Sequence, residues 1–348
     1  MLEKMSRREF IKLSAFSLGA TAATRLDVSS PSSYFLEEGQ IGRVAYESIS
    51  VFDSPRLDAR TVGFRFRDEL INLFYPLTPL TGPAYNPHWY RINGGYIHSG
   101  LVQPVGVRYN TVLDSLPEDG RLSRLTLPYS RPYTYNRNDG WQAEELYLLY
   151  YGSNHWVTDI VAGPDETPWY QITEAWEGVQ YYVKAEHLQP YAAVELEPLS
   201  PDVPATDKRI EVSLQRQNLS AYEGDQIVMS SKISSGVTSQ TGNGLPTMTP
   251  TGSFNINSKL SAKYMGANRL TDTLGDKFLP GVPWTAFFAE GGYAIHGAYW
   301  HNNFGAPMSR GCINLPPTEA QWLYRWITPA ASADDWEARG FGTRVIVS

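Results

Sequence analysis

The chain has 348 residues, 29 basic and 36 acidic side chains, a formal net charge of −7 and a single cysteine. Charged residues make up 19%, below the roughly 25% of an average soluble domain, and aromatics reach 13%, so a disordered chain is excluded as the main state. The charge is uneven: residues 27–207 carry 12 basic and 24 acidic groups, and residues 208–348 carry 12 and 10. An acidic front and a near-neutral back do not make the clustered Lys/Arg footprint of a nucleic-acid binder.

The chain opens on Ser6-Arg7-Arg8-Glu9-Phe10-Ile11-Lys12, followed by a mildly apolar stretch over residues 13–24. A charged start, an apolar middle and small residues read as an export address. The paired arginines resemble the bacterial twin-arginine signal, which implies a protein exported to the cell envelope. The expected organisation begins with this signal at 1–26 and a polar linker at 27–40. The apolar run is shorter than the about 18 residues of a membrane span, and no such run exists elsewhere. With one cysteine, no internal disulfide forms, so the thiol is either a buried spectator or a reagent.

From Ile41 to Pro190, short β-rich runs alternate with Gly, Pro, Asn and Asp, the pattern of small barrels or sandwiches. Two copies of one phrase stand out: Trp89-Tyr90-Arg91-Ile92 followed by Leu101-Val102-Gln103-Pro104, and Trp169-Tyr170-Gln171-Ile172 followed by Leu188-Gln189-Pro190. Between them lie Gly95-Tyr-Ile-His and Tyr182-Val-Lys-Ala, read as exposed strands. The pair resembles bacterial Src-homology-3-like domains, which implies two small barrels at 41–105 and 106–191. Residues 192–207, with four acids among their prolines, are expected to be a stiff solvated linker. Beyond it, Arg209–Leu214, Gln226–Met229 and the closing Gly342–Val347 read as strands, as does a run over Phe287–Ile295 broken by Gly291-Gly292. Pro317–Trp326 reads as a helix, with prolines at its start and Trp322, Leu323 and Trp326 on one face.

The chemistry concentrates in one stretch. Cys312 sits in Ser309-Arg310-Gly311-Cys312-Ile313-Asn314, and His296-Gly297 lies 16 residues upstream. An imidazole can take the thiol proton, and the imidazolium then holds the thiolate. Glycine before the nucleophile lets the backbone approach a carbonyl. The Cys312 and Gly311 N–H groups are expected to form an oxyanion hole, with the Gly297 carbonyl fixing the histidine tautomer. Asn314, Trp300 and Tyr264 are candidate substrate contacts. His301 reads as a loop histidine and a remote rival base. His296, His301 and Cys312 have no matching fourth ligand, so no metal is expected.

The run HGAYWHNNFGAPMSRGCINL, with Thr249-Pro250-Thr251-Gly252 upstream, resembles the signature of L,D-transpeptidases of the YkuD type over residues 208–348. The resemblance implies a mostly β catalytic domain with a short helix. It implies attack by Cys312 on a peptidoglycan stem tetrapeptide before its terminal D-Ala, an acyl-thioester, and transfer to an amine as a 3–3 cross-link, with no cofactor. The family usually has histidine where Arg310 stands. Arg310 cannot be a base but, with Ser309, could hold the substrate. An L,D-carboxypeptidase with the same cysteine and a non-catalytic wall-binding protein are the competing readings.

Overall fold

The computed structural model of the protein describes residues 36–80, 82–145, 147–175, 178–237, 247–265 and 279–348. The twin-arginine segment and most of the linker after it lie outside the described residues. Strands dominate; among the described residues the only α-helix is Pro317–Trp326.

The first front segment builds two antiparallel sheets. One holds Leu70–Asn72, Leu36–Val44 and Val102–Val107; the other runs Thr61–Phe66, Ser48–Phe52, Gly95–His98, Trp89–Ile92, Tyr75–Leu77. Val44, Ile49, Val51, Ile71, Ile92, Ile97 and Val102 close between them. The second front segment is a seven-stranded sheet in the order Gly140–Ala143, Tyr133–Asn136, Gln180–Lys184, Pro168–Thr173, Asn154–Ala162, Arg121–Leu125, Leu188–Pro190. Leu125, Val157, Tyr170, Ile172, Tyr181, Val183 and Leu188 form its core.

The repeated phrase has one structural form in both copies: a hairpin, one 3₁₀ turn, then a strand. These are Trp89–Ile92, Gly95–His98, Ser99–Leu101, Val102–Val107 and Pro168–Thr173, Gln180–Lys184, Ala185–His187, Leu188–Pro190. The second hairpin strand, expected to be exposed, is half-buried instead. Its alternation sends Ile97 and Val183 into the cores, as a two-residue side-chain period requires.

Residues 192–207 are mostly exposed and tied down at a few points. Leu196 is buried, and the helix grips the segment: Gln321 Nε2 donates to the Glu195 carbonyl (3.1 Å) and Arg325 to those of Glu197 (2.7 Å) and Val194 (3.1 Å). The apolar residues spaced among the prolines and acids provide that anchorage.

The remainder is two five-stranded sheets face to face. The first runs Gln226–Lys232, Asn218–Glu223, Lys208–Ser213, Arg344–Val347, Gly252–Asn255. The second runs Ile313–Leu315, Tyr293–Gly297, Leu279–Ala289, Ser258–Met265, Glu337–Arg339. The run Phe287–Ile295 is divided between two strands that turn at Gly291 and Gly292, both at positive φ. Ile210, Val212, Leu219, Ile256, Trp284, Ile295, Ile313, Leu323, Trp326 and Val345 share one core, which also takes in Leu122, Trp156 and Tyr191 of the second front segment.

The helix starts on Pro317 and buries Ala320, Leu323, Tyr324 and Trp326. Two lysines cap its other end. Lys259 Nζ donates to the carbonyls of Tyr324 (2.8 Å) and Ile327 (3.2 Å), and Lys208 Nζ to that of Trp326 (3.0 Å). Cations belong at this negative pole, where the last carbonyls lack helical partners. Burial still pushes Lys259 down to about 7.

Candidate active site

His296 lies on the strand Tyr293–Gly297, which pairs in parallel with Ile313–Leu315, and Cys312 is the bend residue immediately before that second strand. Ile295, His296 and Gly297 pair with Ile313, Asn314 and Leu315. Side chains of in-register residues on neighbouring strands share a face, so Asn314 shares one with its partner His296. The strand order therefore brings the strand of His296 beside the one that Cys312 leads into, across a 16-residue separation in sequence.

His296 is buried, and its Nδ1 lies 3.1 Å from the Gly297 carbonyl. That carbonyl can only accept, so Nδ1 carries the proton and Nε2 keeps its lone pair in the neutral ring. The Trp300 ring packs on the imidazole at 5.6 Å between centroids. Burial lowers the His296 pKa from 6.5 to about 4.

Cys312 is partly buried, and its Sγ lies 3.8 Å from the Gly292 carbonyl. Burial pushes the thiol pKa up, and the Ala294 backbone N–H beside the sulfur only partly offsets that. Among the described residues no hydrogen bond joins Sγ to His296. Burial thus favours the neutral form of both the thiol and the imidazole.

The loop before Cys312 is held by backbone ties. Met308 N–H and Ser309 N–H both donate to the Ser235 carbonyl (3.0 Å each), and Val237 N–H donates to that of Ser309 (3.0 Å). Buried Thr249 bridges it from below: its Oγ1 accepts from Gly236 N–H (2.9 Å) and donates to the Gly311 carbonyl (2.9 Å). The upstream Thr-Pro-Thr-Gly mark thus has a physical task, anchoring the cysteine loop. Gly311 adopts φ +110°, and a Cβ there would lie 2.5 Å from the Tyr293 ring, so only glycine fits.

Several expected site residues have other surroundings. Ser309 Oγ donates to the Cys312 carbonyl and accepts from Gly311 N–H (3.2 Å). Ser309 is thus spent on the loop, and the Gly311 amide is not directed at a bound carbonyl. Tyr264 is buried on Ser258–Met265, two strands across from the strand of His296. Its hydroxyl influences Tyr147 of the front segment, and the fold does not bring it to the cysteine. Arg310 is exposed and has no ion-pair partner among the described residues.

His301, read as a loop histidine, is buried beside the site. Its Nδ1 accepts from Asn303 N–H (3.2 Å), and its Nε2 lies 2.9 Å from Asn314 Nδ2. Asn314 is itself buried, and its Oδ1 has no partner. Burial lowers His301 to about 3, and the nearby His296 adds to the shift. With both ring nitrogens engaged, His301 has no free site for a substrate proton. No spacing rule pointed to it; a histidine between two catalytic positions was the only signal.

The front segment reaches this loop. Asn302 N–H donates to the Gly100 carbonyl (2.9 Å), and Asn86 Nδ2 donates to the Asn302 carbonyl (3.0 Å).

Residues 207–347 match the family model described as the L,D-transpeptidase catalytic domain. Among solved structures, the chain is similar to an L,D-transpeptidase from Xylanimonas cellulosilytica, with 27% identity over 40% of this chain and 60% of that one, at a TM-score of 0.29. The catalytic domain of the E. faecium L,D-transpeptidase gives 25% identity over 41% and 97%, at 0.30. An L,D-transpeptidase from Mycobacterium smegmatis gives 15% over 71% and 90%, at 0.31. The chain spans 60% of the Xylanimonas chain and 50% of an Enterococcus faecium L,D-transpeptidase mutant. No curated protein matches the chain.

Proposed function

We propose that this chain, whose residues 207–347 form an L,D-transpeptidase catalytic domain, is an exported peptidoglycan L,D-transpeptidase with Cys312 as nucleophile and His296 as base. The observation that supports the reading is that Cys312 immediately precedes the strand paired in parallel with that of His296, whose Nδ1 is tied to the Gly297 carbonyl.

The steps follow from the neutral resting pair. As Sγ bonds to the carbonyl carbon before the terminal D-Ala, the thiol proton moves to His296 Nε2. The carbonyl π electrons move to oxygen, facing the Cys312 N–H. Collapse breaks the C–N bond, and His296 returns the proton to the leaving amine of D-Ala. An acyl-thioester remains. An incoming amine, the side chain of another stem's third residue, attacks it with its proton passing through His296, and the thiol is regenerated. The new amide is the 3–3 cross-link. Proton transfer from a positioned base is worth about 10²–10⁴ in rate. Trp300 and Asn314 border the substrate, and Arg310 offers it an exposed cation. The leader at 1–26 implies action in the envelope, and the front segments serve as Src-homology-3-like modules.

The test is product analysis. Purified protein is given muropeptides, and the products are weighed. Cross-linked dimers lacking one D-Ala are expected. Shortened monomers alone would mean that water is the acceptor and that the chain is an L,D-carboxypeptidase. No turnover by folded protein would leave a wall-binding protein.

A further inference from the structure

His301 makes two contacts whose directions cannot both be as they first look. Asn303 N–H donates to Nδ1 (3.2 Å), and the Asn314 carboxamide lies 2.9 Å from Nε2 through its amino end. An imidazole accepting at both nitrogens would be an anion, which this buried, uncharged setting does not support. A backbone N–H can only donate, so Nδ1 holds the lone pair and Nε2 carries the proton. Nε2–H then needs an acceptor, and the acceptor end of a carboxamide is its oxygen. The two ends are alike in shape and are told apart by hydrogen-bond logic. Asn314 therefore sets its oxygen on His301, and the buried atom without a partner is its amino group.

The order of contacts continues into the first front segment. Asn86 is 4% exposed; its Oδ1 accepts from Ser99 Oγ (3.1 Å) and His88 N–H (3.3 Å). This fixes its amino group toward the Asn302 carbonyl (3.0 Å) and Asn303 Oδ1 (3.3 Å). Asn303, held there, presents its N–H to His301, and the Phe304 ring packs on the imidazole at 4.8 Å. Asn314 stands in register with His296, two residues after Cys312.

We propose that Asn86 and His301 are positioning residues, which hold Asn314 with its oxygen on His301 and its amino group toward the face it shares with His296. There it donates to an acceptor oxygen of the acyl donor. Only this last point rests on the acyl-transfer reading. Because the Gly311 amide is taken by Ser309, an oriented side-chain donor supplies polarity the backbone does not. The front segment is then part of the active-site scaffold.

Two measurements test it. Long-range proton–nitrogen correlation on nitrogen-15-labelled full-length protein reads the tautomer of each histidine. His301 is expected neutral with its proton on Nε2; a proton on Nδ1 overturns the proposal without reference to activity. The second is Asn86→Ala, with folding checked by circular dichroism. The KM for a stem tetrapeptide donor should rise about fivefold, the worth of one hydrogen bond. The kcat should change by less than about twofold, and His301 should become a tautomer mixture. A lower melting temperature with KM and the tautomer unchanged would make Asn86 merely structural and overturn its part. If wild-type protein does not turn over muropeptides, the donor role falls, while the tautomer result stands on its own.

Discussion

The resting state of Cys312 is open to direct titration, because the chain has one cysteine and every alkylation reports on it. Burial lowers His296 from 6.5 to about 4. At about 1.4 kcal/mol per unit, this puts about 3 kcal/mol against the imidazolium. The thiol is pushed up as well, so burial disfavours the ion pair at rest. An ordinary thiol near pKa 8.5 is about 3% thiolate at pH 7, and Cys312 is held below that. The rate of iodoacetamide labelling, followed by intact mass from pH 4 to 10, should rise once, on the alkaline side, with no acidic plateau. His296→Ala should leave that profile nearly unchanged while abolishing turnover. A plateau of reactivity reaching down to pH 5, lost in His296→Ala, would refute the neutral-pair account.

Other consequences follow from the same geometry. Gly311→Ala forces a side chain into left-handed backbone and against the Tyr293 ring. It should cost more than about 1 kcal/mol in urea unfolding and remove activity. Thr249→Val deletes the bridge between Gly236 and Gly311. A loss of about 2 kcal/mol is expected from two hydrogen bonds, with Thr249→Ser retaining most of it. Arg310→His, at an exposed position, should be tolerated in the muropeptide assay. Burial lowers His155 and His301 to about 3, and His187 and His296 to about 4. Their native pKa values lie below the unfolded 6.5, so between about pH 6.5 and 4 the unfolded chain binds more protons. Stability should therefore fall as pH drops through that window; a denaturation midpoint equal at pH 7 and pH 5 would contradict these shifts.

The sequence made much of this legible where local chemistry and fold agree. The Trp-Tyr-x-Ile repeat announced two equivalent hairpins because the same alternation must bury the same positions. Pro317 marked a helix start, and Gly291-Gly292 a turn. His-Gly and Gly-Cys mark the proposed reacting pair because each glycine has a backbone task. What stayed hidden depends on residues distant in sequence. Lys208 and Lys259 look like surface charges until the helix end they cap is in place. Leu196 looks solvated until the helix covers it. Ser309 looked like a substrate contact because its hydroxyl is adjacent to the cysteine, yet the turn folds that hydroxyl back onto its own backbone. Tyr264 was placed by its aromatic character alone, and strand order put it elsewhere.

Addition of a carbapenem to the full-length protein, followed by intact mass and peptide mapping, tests the nucleophile most directly. One adduct per chain, located on Cys312 and lost in Cys312→Ala, is the expected result. Folded wild-type protein that gains no mass, or gains it at another residue, would contradict the assignment of the sulfur as the acyl carrier.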